Sequence, residues 1–382
     1  MKYIFLIAAF NALFFAVLTL QKKKALHDKI LISWLSYLGL YTGAYALFFN
    51  RLFMEHQLLS AAFVSLLMLH GPFLYLYISA LIDQKFRLNR KNMLHFVPFL
   101  LFNLFLLVAS FSPGISAGIR LDHTEGDHGT PLLFNIFLLL TALSGPFYFG
   151  LSIALFRKLD INIFNNFSSQ EPVNPDWLRK LVYTFGAIWT ALIVFASIHH
   201  VFHLFSWIFC THGLFLTLSV FIILIGYFGL KQQEIFIQYP DQNVEYVTET
   251  KTKYSTTILK ETDAEQYARR LKHFMASEKP HLDPNLSLPE LAGKLEIPSH
   301  QLSRVINEQF GINFFEFINQ YRIEEVKARI GNPAFDQLSL LGIAFESGFN
   351  TKSAFNRVFK KLTGITPSEY KNRISKNTPS QK

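Results

Sequence analysis

The chain has 382 residues, of which 51% are hydrophobic and 16% charged, and it carries a net charge of +9. The charged share is low for a water-soluble enzyme, and the apolar excess lies in 41 Phe and in runs placed almost entirely before residue 231. The single cysteine, Cys210, excludes an intrachain disulfide framework and a Cys-cluster zinc site. The positive balance suits anionic lipid and nucleic acid equally.

A bilayer-crossing helix needs roughly 20 apolar residues. Runs that meet this are predicted at 3–20, 30–49, 58–82, 93–111, 132–156, 181–201 and 206–230. The first resembles a secretory signal, but its positive charge, Lys22, Lys23 and Lys24, follows the apolar stretch instead of preceding it. It is therefore read as a retained span with its N-terminus outside. Nothing between Leu181 and Leu230 is Lys, Arg, Asp or Glu. Fifty helical residues would reach about 75 Å against a ~30 Å hydrocarbon core. The stretch must fold back once, and its only polar interruption is His199, His200, His203 and Ser206.

Basic residues assign the sides. Lys22–Lys24 and Lys29 lie at the first connection, Lys85, Arg87, Arg90 and Lys91 at the third, and Arg157, Lys158, Arg179 and Lys180 at the fifth. The alternate connections offer Arg51 and Arg120, and the segment 112–131 is acidic, with Asp122, Glu125 and Asp127. The C-terminal region is thus expected in the cytoplasm.

Two predicted spans share a pattern, His70-Gly71-Pro72-Phe73 and Ser144-Gly145-Pro146-Phe147. A Gly-Pro pair frees backbone groups, and the expectation is a tolerated kink, with a hinge or ligand-pocket wall as the alternative. His199 and His203 share a helix face and, with His212 or His123, make a candidate metal set. No Glu stands between them as in a metalloprotease helix, so they read as interfacial histidines at a turn. The spans hold no acidic pair and no nucleophile with a base. Neither an intramembrane enzyme nor an ion path is expected, and no cofactor site is read.

From Lys231 to Thr262 the chain is a polar linker, with a short strand suggested at Val244–Thr248. As a coil its ends would lie about 30 Å apart. A helical domain follows over 263–375, with 376–382 as a disordered tail. Thr262 is a candidate N-cap for a helix running to Glu278, with Tyr267, Leu271, Phe274 and Met275 facing inward.

Within this domain the sequence repeats itself at an offset of 53 residues. Leu302, Arg304, Val305, Ile306, Gly311, Ile312, Glu316 and Phe317 correspond to Phe355, Arg357, Val358, Phe359, Gly364, Ile365, Glu369 and Tyr370. Each copy predicts a helix with two stripes. Leu302, Val305, Ile306 and Phe310, then Phe355, Val358, Phe359 and Leu362, face a core. His300, Ser303, Arg304 and Asn307, then Ser353, Asn356, Arg357 and Lys360, line a polar ridge at i, i+3, i+4, i+7. Shorter helices are predicted before them at Leu288–Leu295 and Leu338–Glu346, with tight turns at Glu296-Ile297-Pro298 and Ser347-Gly348-Phe349 and N-caps at Ser299 and Thr351. This is the plan of two helix-turn-helix units. Such ridges suit the major groove, where Arg reads guanine and Asn reads adenine, while Lys352, Lys360 and Lys361 are placed to neutralise phosphates.

The segment Leu286–Arg373 resembles the DNA-binding domain of AraC/XylS-type transcription regulators. The resemblance is carried by Ile343-Ala344-Phe345-Glu346-Ser347-Gly348-Phe349-Asn350, by Ser353-Ala354-Phe355-Asn356-Arg357-Val358-Phe359-Lys360-Lys361, and by Gly364-Ile365-Thr366-Pro367-Ser368-Glu369-Tyr370. It implies a seven-helix, homeodomain-like tandem module, with a long helix near Phe314–Arg329 between its two units. It also implies groove contacts by His300, Ser303 and Arg304, then Lys352, Ser353, Asn356 and Arg357. One departure stands out: Glu296 occupies the turn position held by Gly348 in the second unit. A side chain forced into left-handed backbone there costs roughly 1 kcal/mol.

The whole chain is expected to be all-α: a polytopic membrane domain at 1–230, a linker, and the tandem module. Its expected role is that of a non-enzymatic, membrane-anchored regulator of double-stranded DNA. The bilayer, an unidentified signal ligand and a second copy of the chain are its other expected partners. The competing class is a seven-helix receptor or transporter whose C-terminal module binds a protein.

Overall fold

Every apolar run predicted to span a bilayer is helical in the computed structural model, which describes residues 1–21, 25–48, 55–82, 86–121, 130–169, 175–202, 207–231 and 261–377. The helices are α1 (Lys2–Leu20), α2 (Leu26–Phe48), α3 (Gln57–Ser65), α4 (His70–Ile82), α5 (Arg90–Met93), α6 (Val97–Ser110), α7 (Pro113–Ala117), α8 (Leu132–Asn166), α9 (Asp176–Phe202) and α10 (Trp207–Lys231). Seven segments among the described residues are long and apolar enough to cross a membrane, with 3-10 turns joining α3 to α4 and α5 to α6. The break predicted within 181–230 falls between Phe202 and Trp207.

Backbone contacts divide the chain into two compact units, Met1–Phe156 with Pro175–Ile235, and Arg157–Asn174 with Phe236–Lys382. In the first, large apolar side chains face outward, among them Leu100, Leu104, Leu107 and Phe111. Its interior is aromatic: Tyr45 and Phe215 stack at 3.6 Å, and buried Trp34 lies parallel to Phe73.

The two Gly-Pro motifs pack against each other. Pro72 lacks an N–H, which leaves the carbonyl of Met68 without its helical donor, and Ser144 Oγ donates to it at 3.3 Å. A Cβ on Gly71 would come within 2.3 Å of the Tyr148 ring, so glycine is needed for close approach. Pro146 sits inside the uninterrupted 35-residue α8. The motifs thus serve helix packing, with satisfied backbone at the first.

His212 shares a 3.1 Å hydrogen bond with the Tyr45 hydroxyl. No group of three metal-binding side chains occurs among the described residues. His123, His128 and His203, the side chains of His199 and His200, and the strand suggested at Val244–Thr248 lie outside what is described.

The second unit contains α11 (Glu261–Ser277), α12 (Leu288–Lys294), α13 (Ser299–Phe310), α14 (Phe314–Arg329), α15 (Leu340–Glu346), α16 (Lys352–Thr363) and α17 (Pro367–Asn377). Over the described residues 261–377 that makes seven α-helices, as the family resemblance implies. Leu271, Met275, Leu291, Leu302 and Ile306 form one core with Phe314, Phe317 and Ile318 of α14. Ile343, Phe349, Phe355, Val358 and Phe359 form a second with Ile323 and Val326 of the same helix. One long helix therefore supplies a wall to each core. Three expectations are corrected. The first helix starts at Glu261, so Thr262 lies inside it, and Ser299 is the first residue of α13 with no side-chain cap at Pro298 before it. Leu362, assigned to the core, is 39% exposed and stands outside the cluster that Phe355, Val358 and Phe359 join.

Candidate nucleic-acid interface

Each unit is a short helix, a tight turn and a longer amphipathic helix, and local chemistry sets most of the boundaries. Ser287 and Glu290 form a capping box at the start of α12, and Ser339 Oγ accepts from Gly342 N at 3.0 Å at the start of α15. The turns are superimposable in their bonding. Ile297 N donates to Ala292 O at 2.9 Å, and Phe349 N donates to Ala344 O at 3.1 Å. Glu296 has φ +54° and Gly348 φ +90°, so the corresponding turn position, here 52 residues apart, is left-handed in both.

Glu296 is 86% exposed at its side chain and lies 3.9 Å from Arg270. Replacing it should relieve backbone strain and lose almost nothing. Glu296→Gly is expected to raise the stability of the module by about 0.5–1 kcal/mol, read as a higher midpoint in thermal unfolding of the purified chain. A lower midpoint would mean that the Arg270 contact outweighs the strain.

The longer helices differ at their starts. Thr351 Oγ1 accepts from Ala354 N at 3.3 Å and caps α16, whereas α13 follows Pro298 without such a bond. Both end on a left-handed glycine, Gly311 at φ +71° and Gly364 at φ +79°, which accounts for the glycine in the repeat. The repeated glutamates begin the next helices. Glu316 N donates to Asn313 Oδ1 at 2.9 Å, and Glu369 exchanges bonds with Thr366.

On α16 the side chains of Lys352, Ser353, Asn356, Arg357, Lys360 and Lys361 are all exposed, so the predicted ridge exists as a continuous polar surface. Lys361 reaches back to Glu316 at 2.8 Å. On α13, His300 and Asn307 are exposed and Arg304 is half-buried. Ser303 is only 4% exposed, with its carbonyl accepting from Asn307 Nδ2 at 2.9 Å, so the structure removes it from the ridge. Arg304 Nε lies 2.8 and 2.9 Å from the two Glu308 oxygens. An exposed i, i+4 pair of this kind is worth only a few tenths of a kcal/mol, and a guanine or phosphate can replace it.

Sequence patterning missed Arg322 and Asn319 of α14, which are 1% and 3% exposed. The guanidinium donates to the carbonyls of His281, Ser168 and Asp283 and to Ser168 Oγ, at 2.7–3.0 Å. Burial lowers its pKa to about 10, so it stays protonated at neutral pH. A polar pair among apolar neighbours, Phe317-Ile318-Asn319 and Arg322-Ile323, was the available signal.

Residues 291–373 match the family model of a helix-turn-helix domain. An uncharacterised HTH-type transcriptional regulator of Staphylococcus aureus (strain COL) is 32% identical over 91 residues, which cover 24% of this chain and 12% of that protein. The HTH-type regulator YtdP of Bacillus subtilis (strain 168) is 32% identical over 89 residues, 23% and 11% of the two chains. This chain thus spans about an eighth of the length of the curated relatives it matches. No solved structure matches. Residues 291–373 are a helix-turn-helix domain, and among the described residues the chain before it holds seven apolar helices long enough to cross a membrane.

Proposed function

We propose that this chain is a one-component transcription regulator held in a bacterial inner membrane, which binds promoter DNA through α13 and α16 of a cytoplasmic module. The observation that carries the reading is the doubled recognition helix. Both copies present an Arg at the same register, and the second adds Ser353, Asn356 and Lys360 on one exposed face. In this reading Arg357, Asn356 and Ser353 contact base edges, and Lys352, Lys360 and Lys361 contact phosphates. His300, Arg304 and Asn307 do the corresponding work in a second groove segment, about one helical turn (~34 Å) away. Two copies of the chain on one operator would suit that arrangement.

The apolar helices anchor the chain and, in this reading, receive the signal. Support for a receptor role is an apolar cavity of about 360 Å³ in the first unit, lined by Val64, Leu138, Thr141, Trp189 and Leu214 among others. An uncharged, lipophilic ligand fits such a lining.

The test is DNA retention by the full chain in lipid nanodiscs. Binding is expected to be sequence-selective and to weaken steeply with salt, the logarithm of affinity falling with log salt at a slope near −0.9 per phosphate contacted. Retention that is absent, or indifferent to salt, would favour the competing reading of a protein-binding module.

A further inference from the structure

The described start of the connector between α8 and α9, residues 167–169, is buried in the second unit instead of lying free as a short basic loop. Phe167, Ser168 and Ser169 are 8%, 1% and 8% exposed. Ser168 N donates to Leu286 O at 3.2 Å, and Phe167 bridges to Ser287 in antiparallel fashion, beside the start of α12. Ser168 then supplies two of the acceptors for Arg322, its carbonyl at 3.0 Å and its hydroxyl at 2.9 Å. The same carbonyl accepts from Asn319 Nδ2 at 3.1 Å. One residue later, Asn350 Nδ2 reaches Ser169 Oγ at 3.4 Å, and Phe164 packs edge-on to Phe315 at 5.2 Å.

These contacts reach both halves of the module. Leu286 and Ser287 enter the first helix-turn-helix unit, Asn350 lies in the turn before the second recognition helix, and α14 walls both cores. Arg322 is a cation whose hydrogen-bond partners are all neutral oxygens. Removing Ser168 would strip two acceptors from a charge that is almost fully enclosed, which is costly for a buried donor. The module is therefore bonded to the connector as though the connector were part of it.

We propose that the α8–α9 connector is an intramolecular partner of the tandem helix-turn-helix module, clamping Arg322 and Asn350 so that the two recognition helices are held in one relative setting. The connector is continuous with α8 and α9, so a rearrangement of those helices pulls directly on the clamp. Withdrawal loosens the setting and lowers affinity for an operator that needs both helices at once. This coupling rests on the DNA-binding reading, whereas the docking itself does not.

The experiment uses the full chain in membranes, with Cys210→Ser as background. Ser169→Cys with Asn350→Cys is treated with a short bismaleimide, and Glu316→Cys with Lys361→Cys serves as the control pair. Cross-linking of both pairs is expected. A cross-linked control with no product at 169–350 overturns the docking. In the second arm Ser168→Trp, which cannot fit the enclosed site, is compared with the parent for operator affinity, and protease resistance of the module shows that it remains folded. A fall of about ten-fold is expected, with full affinity retained by the 169–350 cross-linked protein. Equal affinities in Ser168→Trp and the parent overturn the coupling. If the parent itself fails to select DNA, the DNA-binding reading falls and the coupling with it, while the cross-link still decides the docking.

Discussion

Arg357→Ala is expected to cut sequence selection by roughly five- to 150-fold while leaving DNA retention in place. Arg357 sits mid-ridge on α16, exposed, with Ser353 and Asn356 beside it and lysines toward both ends of the helix. A guanidinium that bonds guanine O6 and N7 together contributes about 1–3 kcal/mol of discrimination, roughly five- to 150-fold in relative affinity. The lysines act on phosphates, which every sequence presents, so their contribution survives the substitution. The measurement is a competition gel shift with the full chain in nanodiscs, using genomic fragments it has itself selected against unrelated DNA. Lys360→Ala is the companion. It should weaken all sequences alike and reduce the salt slope by about one. If Arg357→Ala keeps its preference for the selected fragments, the arginine does not read bases.

The contrast between Arg357 and Arg322 shows how far a single sequence can be read. Arg357 lies on a helix face whose other members are Ser, Asn and Lys, so periodicity alone puts it outside, and the repeat with Arg304 gives that face a purpose. Arg322 falls among residues that face the two cores, where a charge makes sense only if distant carbonyls are waiting for it. Those come from His281, Asp283 and Ser168, and the last is 154 positions away. Nothing local announces such a contact. Ser303 failed for a related reason. Spacing puts it in the stripe with Arg304 and Asn307, but it also borders Leu302 and Ile306, and a side chain that small is covered by its neighbours.

The end of α8 gives a third case. Hydropathy falls at Arg157 and Lys158, so the predicted span stops at 156, although the helix runs on to Asn166. Leu159, Asn162, Ile163 and Asn166 are all buried at helical spacing. The period persisted where the hydrophobicity did not, since the surroundings changed while the backbone continued. The glycine of the second turn was legible for its conformation alone, and the structure shows that conformation is the smaller part of its role.

Gly348→Ala is expected to be the most damaging single-methyl change in the module. The φ of +90° already disfavours any side chain, by about 1–2 kcal/mol. An added Cβ would stand 2.3 Å from the carbonyl oxygen of His281, 2.9 Å from Arg322 Nε and 3.1 Å from the carbonyl oxygen of Leu282. Two of those atoms are backbone, so the turn must shift as a whole, at about 1–3 kcal/mol for overpacking. The shift would also press on the 2.8 Å bond from Arg322 to His281 O, which helps to satisfy a buried cation. Together these terms reach roughly 3–6 kcal/mol, a large part of the 5–15 kcal/mol that holds a typical domain. Gly364→Ala isolates the conformational part, because that glycine has φ +79° and no atom within 4 Å of the added Cβ. Hydrogen exchange across α12–α16 of the full chain would read both. Gly348→Ala should expose the turn and α14 to exchange far more than Gly364→Ala does. Equal effects would mean that the second turn is not seated against His281 and Arg322, and that the clamp on Arg322 lacks the wall it is built on.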